Sequence, residues 1–332
     1  MIRENEETLV TRTIGAAAIL PAVLVFCASN AQDCDRQCLI DLADDYVAAL
    51  VAHDPAQVRL SPDVVFVENV TRMQPGEGLW ATASAPPQSF VIHVPDPVSQ
   101  QVGYLAVMTE TREGQQAQIQ LGLRLKLEAG QITEAEHIVV RNLREGQLAN
   151  LQSPRLPLVS PVEDRFRDSR SRLLYIGASY YDALDQNNGA LAPFADDCVR
   201  FENGFQTARN VVARDPSQGF GLAGALGCAA QLDTNTFEYI TRIDNRRVWI
   251  ADEVNGLAFG LSHFRHSFEK REFAVFGIPG QTARTMNNDP FDMPAIHIYK
   301  IWAGKIHEIE AIGIVVPYMS PTGWEGSTPS GP

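Results

Sequence analysis

The segments Tyr46-Val47-Ala48-Ala49-Leu50 and Asp63-Val64-Val65-Phe66-Val67-Glu68-Asn69 return 134 residues later as Tyr180-Tyr181-Asp182-Ala183-Leu184 and Asp197-Cys198-Val199-Arg200-Phe201-Glu202-Asn203. Tyr, Ala, Leu, Asp, Val, Glu and Asn keep their spacing without a gap, and self-similarity at one offset marks a duplicated folding unit. A second run, Lys126, Ala129, Gly130, Ile132, Glu134, Glu136 and Ile138, recurs 174 residues later as Lys300, Ala303, Gly304, Ile306, Glu308, Glu310 and Ile312. The offset grows between the two runs, so the second copy carries about 40 extra residues between these anchors. Gly103 paired with Gly256 serves as a middle anchor and splits that growth into about 19 and 21 residues.

Each copy reads in the same order. A helix, as at Ser171 to Gln186, precedes a short polar stretch and a strand ending in Glu-Asn. Leu121 to Leu127 and Ala295 to Trp302 are strand-like runs, each followed by Ala-Gly and a return strand, a hairpin with glycine at its turn. Helices leading and a curved antiparallel sheet trailing give an α+β class. Ser153-Pro154-Arg155-Leu156-Pro157-Leu158-Val159-Ser160-Pro161 lies between the copies, and its prolines disfavour helix and ladder alike. The expected organisation is a leader over 1–31, a first domain over 32–150, a linker over 151–163, a second domain over 164–318 and a flexible tail over 319–332.

The chain has 332 residues, 45% hydrophobic and 20% charged, the composition of an ordinary globular protein. Lys+Arg 27 against Asp+Glu 40 gives a net charge of −13, which leaves no general basic field for a nucleic acid. The apolar run Ile14 to Ala28 is too short to span a bilayer and fits the core of a signal peptide, with Ser29-Asn30-Ala31 as a cleavage pattern. Glu4, Glu6 and Glu7 offset the early basic charge, although Arg12 stands just before the run. Export to the periplasm or outside the cell is the expectation, with no stable membrane anchor once the leader is cut.

Leader removal discards Cys27 and leaves Cys34, Cys38, Cys198 and Cys228. An even count in an exported chain predicts disulfides, with three connectivities open. Cys34 and Cys38 are within reach of each other at the start of a helix if its first turn distorts, and Cys198 and Cys228 then staple the second half. No second close pair of Cys or His completes a zinc site, so no metal is expected.

The helix containing Tyr180-Tyr181-Asp182-Ala183-Leu184, the strand Cys198 to Asn203 and the closing hairpin Ile296 to Glu310 resemble the nuclear-transport-factor-2-like, or SnoaL-like, superfamily in tandem duplicate. More narrowly, Gly78-Leu79-Trp80 and Asp252-Glu253 leading into Gly256-Leu257 look like exported two-domain members of unknown function. The resemblance implies two tandem cone-shaped α+β barrels, each a bent antiparallel sheet wrapped around helices with an apolar pocket at its open end. The superfamily holds ketosteroid isomerase, dehydratases, an epoxide hydrolase, polyketide cyclases and a lyase, together with many binders. No signature of those enzymes is matched residue by residue, so function is argued from the site.

Strand alternation selects the candidate residues. Leu121, Leu123, Leu125 and Leu127 share one face in the first copy, where the second has Ala295, His297, Tyr299 and Ile301. Polar groups in place of core leucines point to a functional cavity in the second copy, against the plainer reading of a satisfied core pair. His263 and His266 are three apart on a strand and face opposite ways, which argues against a shared metal. Phe264 and His266 share a face with Ala258, Gly260 and Ser262, and a lone imidazole there suits general acid-base work. Glu202 and Asn203 match Glu68 and Asn69, so a role in the fold competes with a role in the site. Arg247, next to Arg246 and ahead of Trp249, is a candidate for holding an anionic or phenolic oxygen. Tyr180, Tyr181 and Leu184 lie at helical spacing and read first as core, although a tyrosine there would present its hydroxyl to the interior. Glu134, Glu136, Glu308 and Glu310 read as a sheet face or domain interface. Gly219 to Gly224 matches a dinucleotide-binding pattern but lacks the preceding strand, and reads better as a loop over the pocket. The insertion from Ser267 to Asp292 reads as a lid or an interface hairpin.

The expectation is a cofactor-independent lyase, dehydratase or isomerase. His266 or His297 moves a proton, and Tyr299, Arg247 and Glu202 assist. Tyr181, His263, Asn203, Trp249 and Phe264 surround a small apolar, in one version aromatic, substrate. The first copy is then a degenerate scaffold. The alternative is a non-catalytic binder of hydrophobic small molecules. Homo-oligomer formation is left open by the sequence.

Overall fold

The structure, a computed structural model, describes Met1 and residues 33–210 and 221–326. The expected leader after Met1, most of the segment before Gly221 and the end of the tail lie outside the described residues. Helix α1 (Arg36–Ala52) opens the first half: the Asp35 carboxylate accepts the Cys38 N–H at its start, and His53, in the left-handed region, closes it by donating to Ala49 and Leu50. Strands β1 (Leu60–Glu68), β2 (Thr71–Met73), β3 (Ala83–Ala85), β4 (Val91–Asp96), β5 (Gln101–Arg112), β6 (Gln115–Glu128) and β7 (Gln131–Val140) follow, with the short helix α2 (Leu79–Thr82) between β2 and β3. They form one sheet of order β2-β1-β7-β6-β5-β3, with β4 also on β5.

Helices α3 (Glu145–Asn150) and α4 (Leu156–Val159) lie on the connection, and α5 (Arg170–Asp185) opens the second half. Strands β8 (Phe194–Glu202), β9 (Phe205–Ala208), β10 (Arg242–Asp252), β11 (Leu257–His266), β14 (Phe291–Trp302) and β15 (Lys305–Gly313) repeat the order as β10-β11-β14-β15-β8-β9, with β16 (Val316–Pro317) on β14. Helix α6 (Cys228–Leu232) and the hairpin β12 (Glu272–Ile278) and β13 (Gln281–Thr285) belong to the growth of the second copy. Each half is thus a helix-led α+β cone. Among the described residues, no helix is long and apolar enough to cross a membrane.

The structure corrects two details. The sheets are mixed, because β1 runs parallel to β7 and β8 parallel to β15. A parallel pair needs a long crossover, and here the intervening strands of each half supply it. The middle anchor is also different: Tyr104 faces Leu123 and Gly260 faces His297, which makes Tyr104 and Gly260 equivalent at an offset of 156. The growth therefore divides into about 22 residues before β11 and about 18 after it. The closing hairpins turn through Ala129-Gly130 and Ala303-Gly304, all four residues at positive φ, which matches the right-handed strand twist.

Alternation sends each strand's residues to two cores. Val102, Tyr104, Leu121, Leu123 and Leu125 fill the first cone, and Ala258, Ala295, Tyr299 and Ile301 line the second. The opposite faces meet in a third core, where Ile92, Leu105 and Val107 pack on Phe259, Ile296 and Ile298. Gly103 allows that approach, since a Cβ there would stand 2.4 Å from the Phe259 ring. Two ion pairs cross this contact reciprocally: Arg36 with Asp252 at 2.7 Å, and its repeat equivalent Arg170 with Asp96 at 2.9 Å. A self-complementary exchange of this kind is the geometry of a two-fold interface, held here within one chain. Within the expected tail, Trp324 is buried beneath Arg124 and Arg247. Cys34 pairs with Cys38 and Cys198 with Cys228.

Candidate functional site

The second cone holds a cavity of about 800 Å³. The growth of the second copy shapes its wall: Phe237, Tyr239 and Ile240 come from the first inserted segment. Tyr239 also packs on the core formed by the described turn Gly221–Ala225 and the β12-β13 hairpin, so the two insertions support each other beside the cavity. The hairpin's Arg284 sits 5.1 Å from the Tyr239 ring centre.

His266 and His297 both line this cavity, as do Phe264, Glu202 and Asn203. His266 lies between the rings of Tyr239 and Phe291, at 5.6 and 4.4 Å, with its Nδ1 buried and the Phe291 backbone beside the ring. Burial lowers its pKa to about 4, so the ring is neutral at pH 7. His297 lies deeper, its Nδ1 3.3 Å from the Tyr181 hydroxyl and its ring stacked on Tyr299. Burial, reinforced by the Arg200 charge, lowers His297 to about 3. Tyr181 and Tyr299 stand behind it, packed among Tyr180, Phe264 and His297.

Sequence reasoning passed over the cation that organises this end. Arg200, fully buried, reaches the Thr207 hydroxyl at 2.9 Å, the Tyr180 hydroxyl at 3.4 Å and the Glu202 carboxylate at 2.8 Å, and also the Gln231 side chain. Tyr180 is among the cavity's lining residues, and its hydroxyl ties Arg200 to that wall. Burial raises the Tyr180 pKa even against the Arg200 charge, which keeps the phenol protonated. A signal was present: Arg200 shares a strand face with Glu202 and stands where the first copy has Phe66.

Other candidates lie elsewhere. Arg247 does not line the cavity; both its terminal nitrogens bind Glu136 of the first half at 2.6 Å, and Trp249 lies next to it at the contact between halves. The β10 register turns both outward, which the Arg246-Arg247 pair did not reveal. His263 faces the outer side of β11, between Arg265 at 3.3 Å and Asp292 at 3.6 Å, and burial with the Arg265 charge lowers it to about 4. Asn203 is a turn residue whose amide brackets the backbone of Gly313, with both contacts at 2.9 Å, as Asn69 brackets Val139. Its side chain serves the fold in both copies. Glu202 and Glu68 diverge instead, since buried Glu68 accepts the Leu79 N–H at 2.9 Å and contacts His137. Among the described residues, no group of three His, Cys, Asp or Glu is arranged to hold a metal ion.

The first cone is filled. Trp80 stands edge-on to Tyr46 at 5.1 Å, and Tyr46 bonds His137 at 3.0 Å, whose other nitrogen is 3.3 Å from Glu68. This buried Tyr-His-Glu chain was not singled out by the sequence, because His137 has Ala311 as its counterpart in the second half.

Both halves have the helix-then-curved-sheet order of the nuclear-transport-factor-2-like fold. A family profile described as a domain of unknown function (DUF8021) matches residues 166–313. Similar solved structures include a hypothetical protein with a ketosteroid isomerase-like fold from Catenulispora acidiphila, in complex with trimethylamine, at 14% identity and TM-score 0.24, covering 34% of this chain and 94% of that one. An NTF2-like protein from Burkholderia thailandensis matches at 14% identity and TM-score 0.26, covering 43% of this chain and 90% of that one. A protein of unknown function with a cystatin-like fold from Methylobium petroleophilum matches at 13% identity and TM-score 0.26, covering 50% and 99% respectively. No curated protein matches by sequence.

Proposed function

We propose that the second cone takes up a small apolar or aromatic molecule bearing a carbonyl or phenolic oxygen and moves a proton on it, as a lyase or isomerase does. The observation that carries this reading is the roughly 800 Å³ cavity with the neutral His266 and His297 rings among its lining residues. A neutral imidazole accepts a proton, and negative charge developing on the guest raises its proton affinity towards that of an ordinary histidine. The Tyr180 hydroxyl, backed by Arg200 at 3.4 Å, is placed to donate to the oxygen that gains charge, and His297 holds a second ring at the deep end. Tyr180 and Arg200 thus take the part that the sequence suggested for Tyr299 and Arg247. The two disulfides fit an oxidising compartment outside the cytoplasm, where this chemistry would take place.

A second reading, binding without turnover, is favoured by the low basicity of both imidazoles in the empty cavity. One experiment separates the two. Aryl ketones and phenols are screened by thermal shift, since a ligand of the native state raises apparent stability. Hits are then incubated in deuterium oxide, and exchange of carbon-bound hydrogen is followed by NMR. Exchange lost in both His266→Ala and His297→Ala supports proton transfer. Tight binding with no exchange above the protein-free rate leaves a binding protein, whereas protein-dependent exchange that survives both substitutions overturns the histidines as the base.

A further inference from the structure

We infer that Arg144, carried by the connection between the halves, reads a carboxylate at the mouth of the second cone, so that the preferred guest is an apolar monocarboxylic acid. This deepens the small-molecule reading of the cavity and rests on it. Helix α3 is fixed on the rim: Gln147 donates to the Asn203 carbonyl at 2.7 Å and Asn150 to the Gly204 carbonyl at 2.9 Å. Gly204, at φ +75°, leaves room for nothing larger, because a Cβ would stand 2.7 Å from Leu151 and 2.8 Å from the Gln147 carbonyl.

The fixed helix places Arg144 in the cavity lining at its exposed end, while Tyr180 and His297 are buried at the other. Arg144 and Glu202 are the lining residues with a formal charge at pH 7. Glu202 is answered by Arg200 at 2.8 Å, whereas Arg144 has no carboxylate within ion-pair distance among the described residues. Its Nε is 3.3 Å from the Gln147 amide oxygen, a bond that holds the guanidinium plane and leaves the two terminal nitrogens for a ligand. Glu145, its neighbour in sequence, does not contribute to the cavity wall. The site therefore carries one positive charge in excess within a chain of net charge −13. A guanidinium fork matches the two oxygens of a carboxylate, and the aromatic walls behind it suit an apolar body. A single excess cation balances a monoanion.

Isothermal titration calorimetry on the full protein at pH 7 with 2-naphthaleneacetate and its neutral counterpart 2-naphthaleneethanol tests this. The acid should bind about fivefold tighter than the alcohol, the size of a partly exposed ion pair. Arg144→Gln should abolish that preference by weakening the acid more than the alcohol, Arg144→Lys should retain part of it, and added salt should reduce it. Binding of both compounds without preference, or a preference that survives Arg144→Gln, overturns the inference and leaves the cavity reading standing. Binding of neither overturns both. Ala295→Trp, which fills the cavity, should abolish binding of acid and alcohol alike; acid binding that survives it places the carboxylate elsewhere and also overturns the inference.

Discussion

Replacing Glu136 with glutamine should destabilise the protein by about 3 kcal/mol at neutral pH, and by much less in acid. Glu136 is buried between the halves, accepts both terminal nitrogens of Arg247 at 2.6 Å and lies 3.3 Å from Arg124. Burial alone would raise its pKa; the Arg247 charge, then Arg124, overcome this and lower it from 4.5 to about 2. A shift of that size corresponds to about 3 kcal/mol, at roughly 1.4 kcal/mol per unit. The sign follows from linkage. The folded pKa lies below the unfolded one, so the stabilisation is fully present above about pH 4.5 and is lost as the pH falls towards 2. About 1 kcal/mol should remain at pH 3. Urea denaturation of both proteins, followed by circular dichroism at pH 7 and pH 3, measures this. A double-mutant cycle with Arg247→Met should show strong coupling, since removing one partner leaves the other as an uncompensated buried charge. A cost below about 1 kcal/mol at pH 7, or an equal cost at both pH values, would refute the reasoning.

The bond between Cys198 and Cys228 closes a loop with a sequence separation of 30, so Cys198→Ser/Cys228→Ser should lose about 3 to 4 kcal/mol in the same denaturation experiment. Gly103→Ala should cost about 1 to 3 kcal/mol, because its Cβ would enter the Phe259 ring at the contact between sheets. Gly146→Ala, in the exposed helix α3 with nothing within 4 Å, should instead raise the melting temperature slightly. His297 has a folded pKa of about 3, below the ordinary 6.5, so it withdraws stability progressively as the pH falls below 6.5. His297→Leu, the residue type that the first half has at the equivalent Leu123, should therefore gain about 2 kcal/mol relative to wild type between pH 7 and pH 5. A pH-independent difference would mean that the ring is solvated.

Duplication made much of the fold legible. Two runs at fixed offsets gave the number of units, and the Ala-Gly hairpins and Leu alternation gave the inner face. The register of the middle strands was not legible, since a lone glycine pair carries no pairing information and the turn before β11 uses Gln100 in one half and Gly256 in the other. For the site, substitution of polar groups at core positions of a repeat was the informative signal. It marked His297 directly and would have marked Arg200 had the same comparison been applied to Phe66. It misdirected attention to Arg247, because a charged strand residue looks the same in sequence whether its partner is a guest or a carboxylate of the other half.

The sequence alone determined two helix-led sheets, an acidic chain without a field for nucleic acid, and a second copy enlarged at two places. These properties rest on periodicity, composition and chain length, all local or additive along the chain. Tertiary structure decided which cone is open. Trp80 and the leucines fill the first, while the inserted Phe237 and Tyr239 and the connecting helix with Arg144 extend the wall of the second. It also decided which cations face a cavity and which are spent between the halves, because a side chain's partner is fixed by packing at separations such as the 111 residues between Glu136 and Arg247.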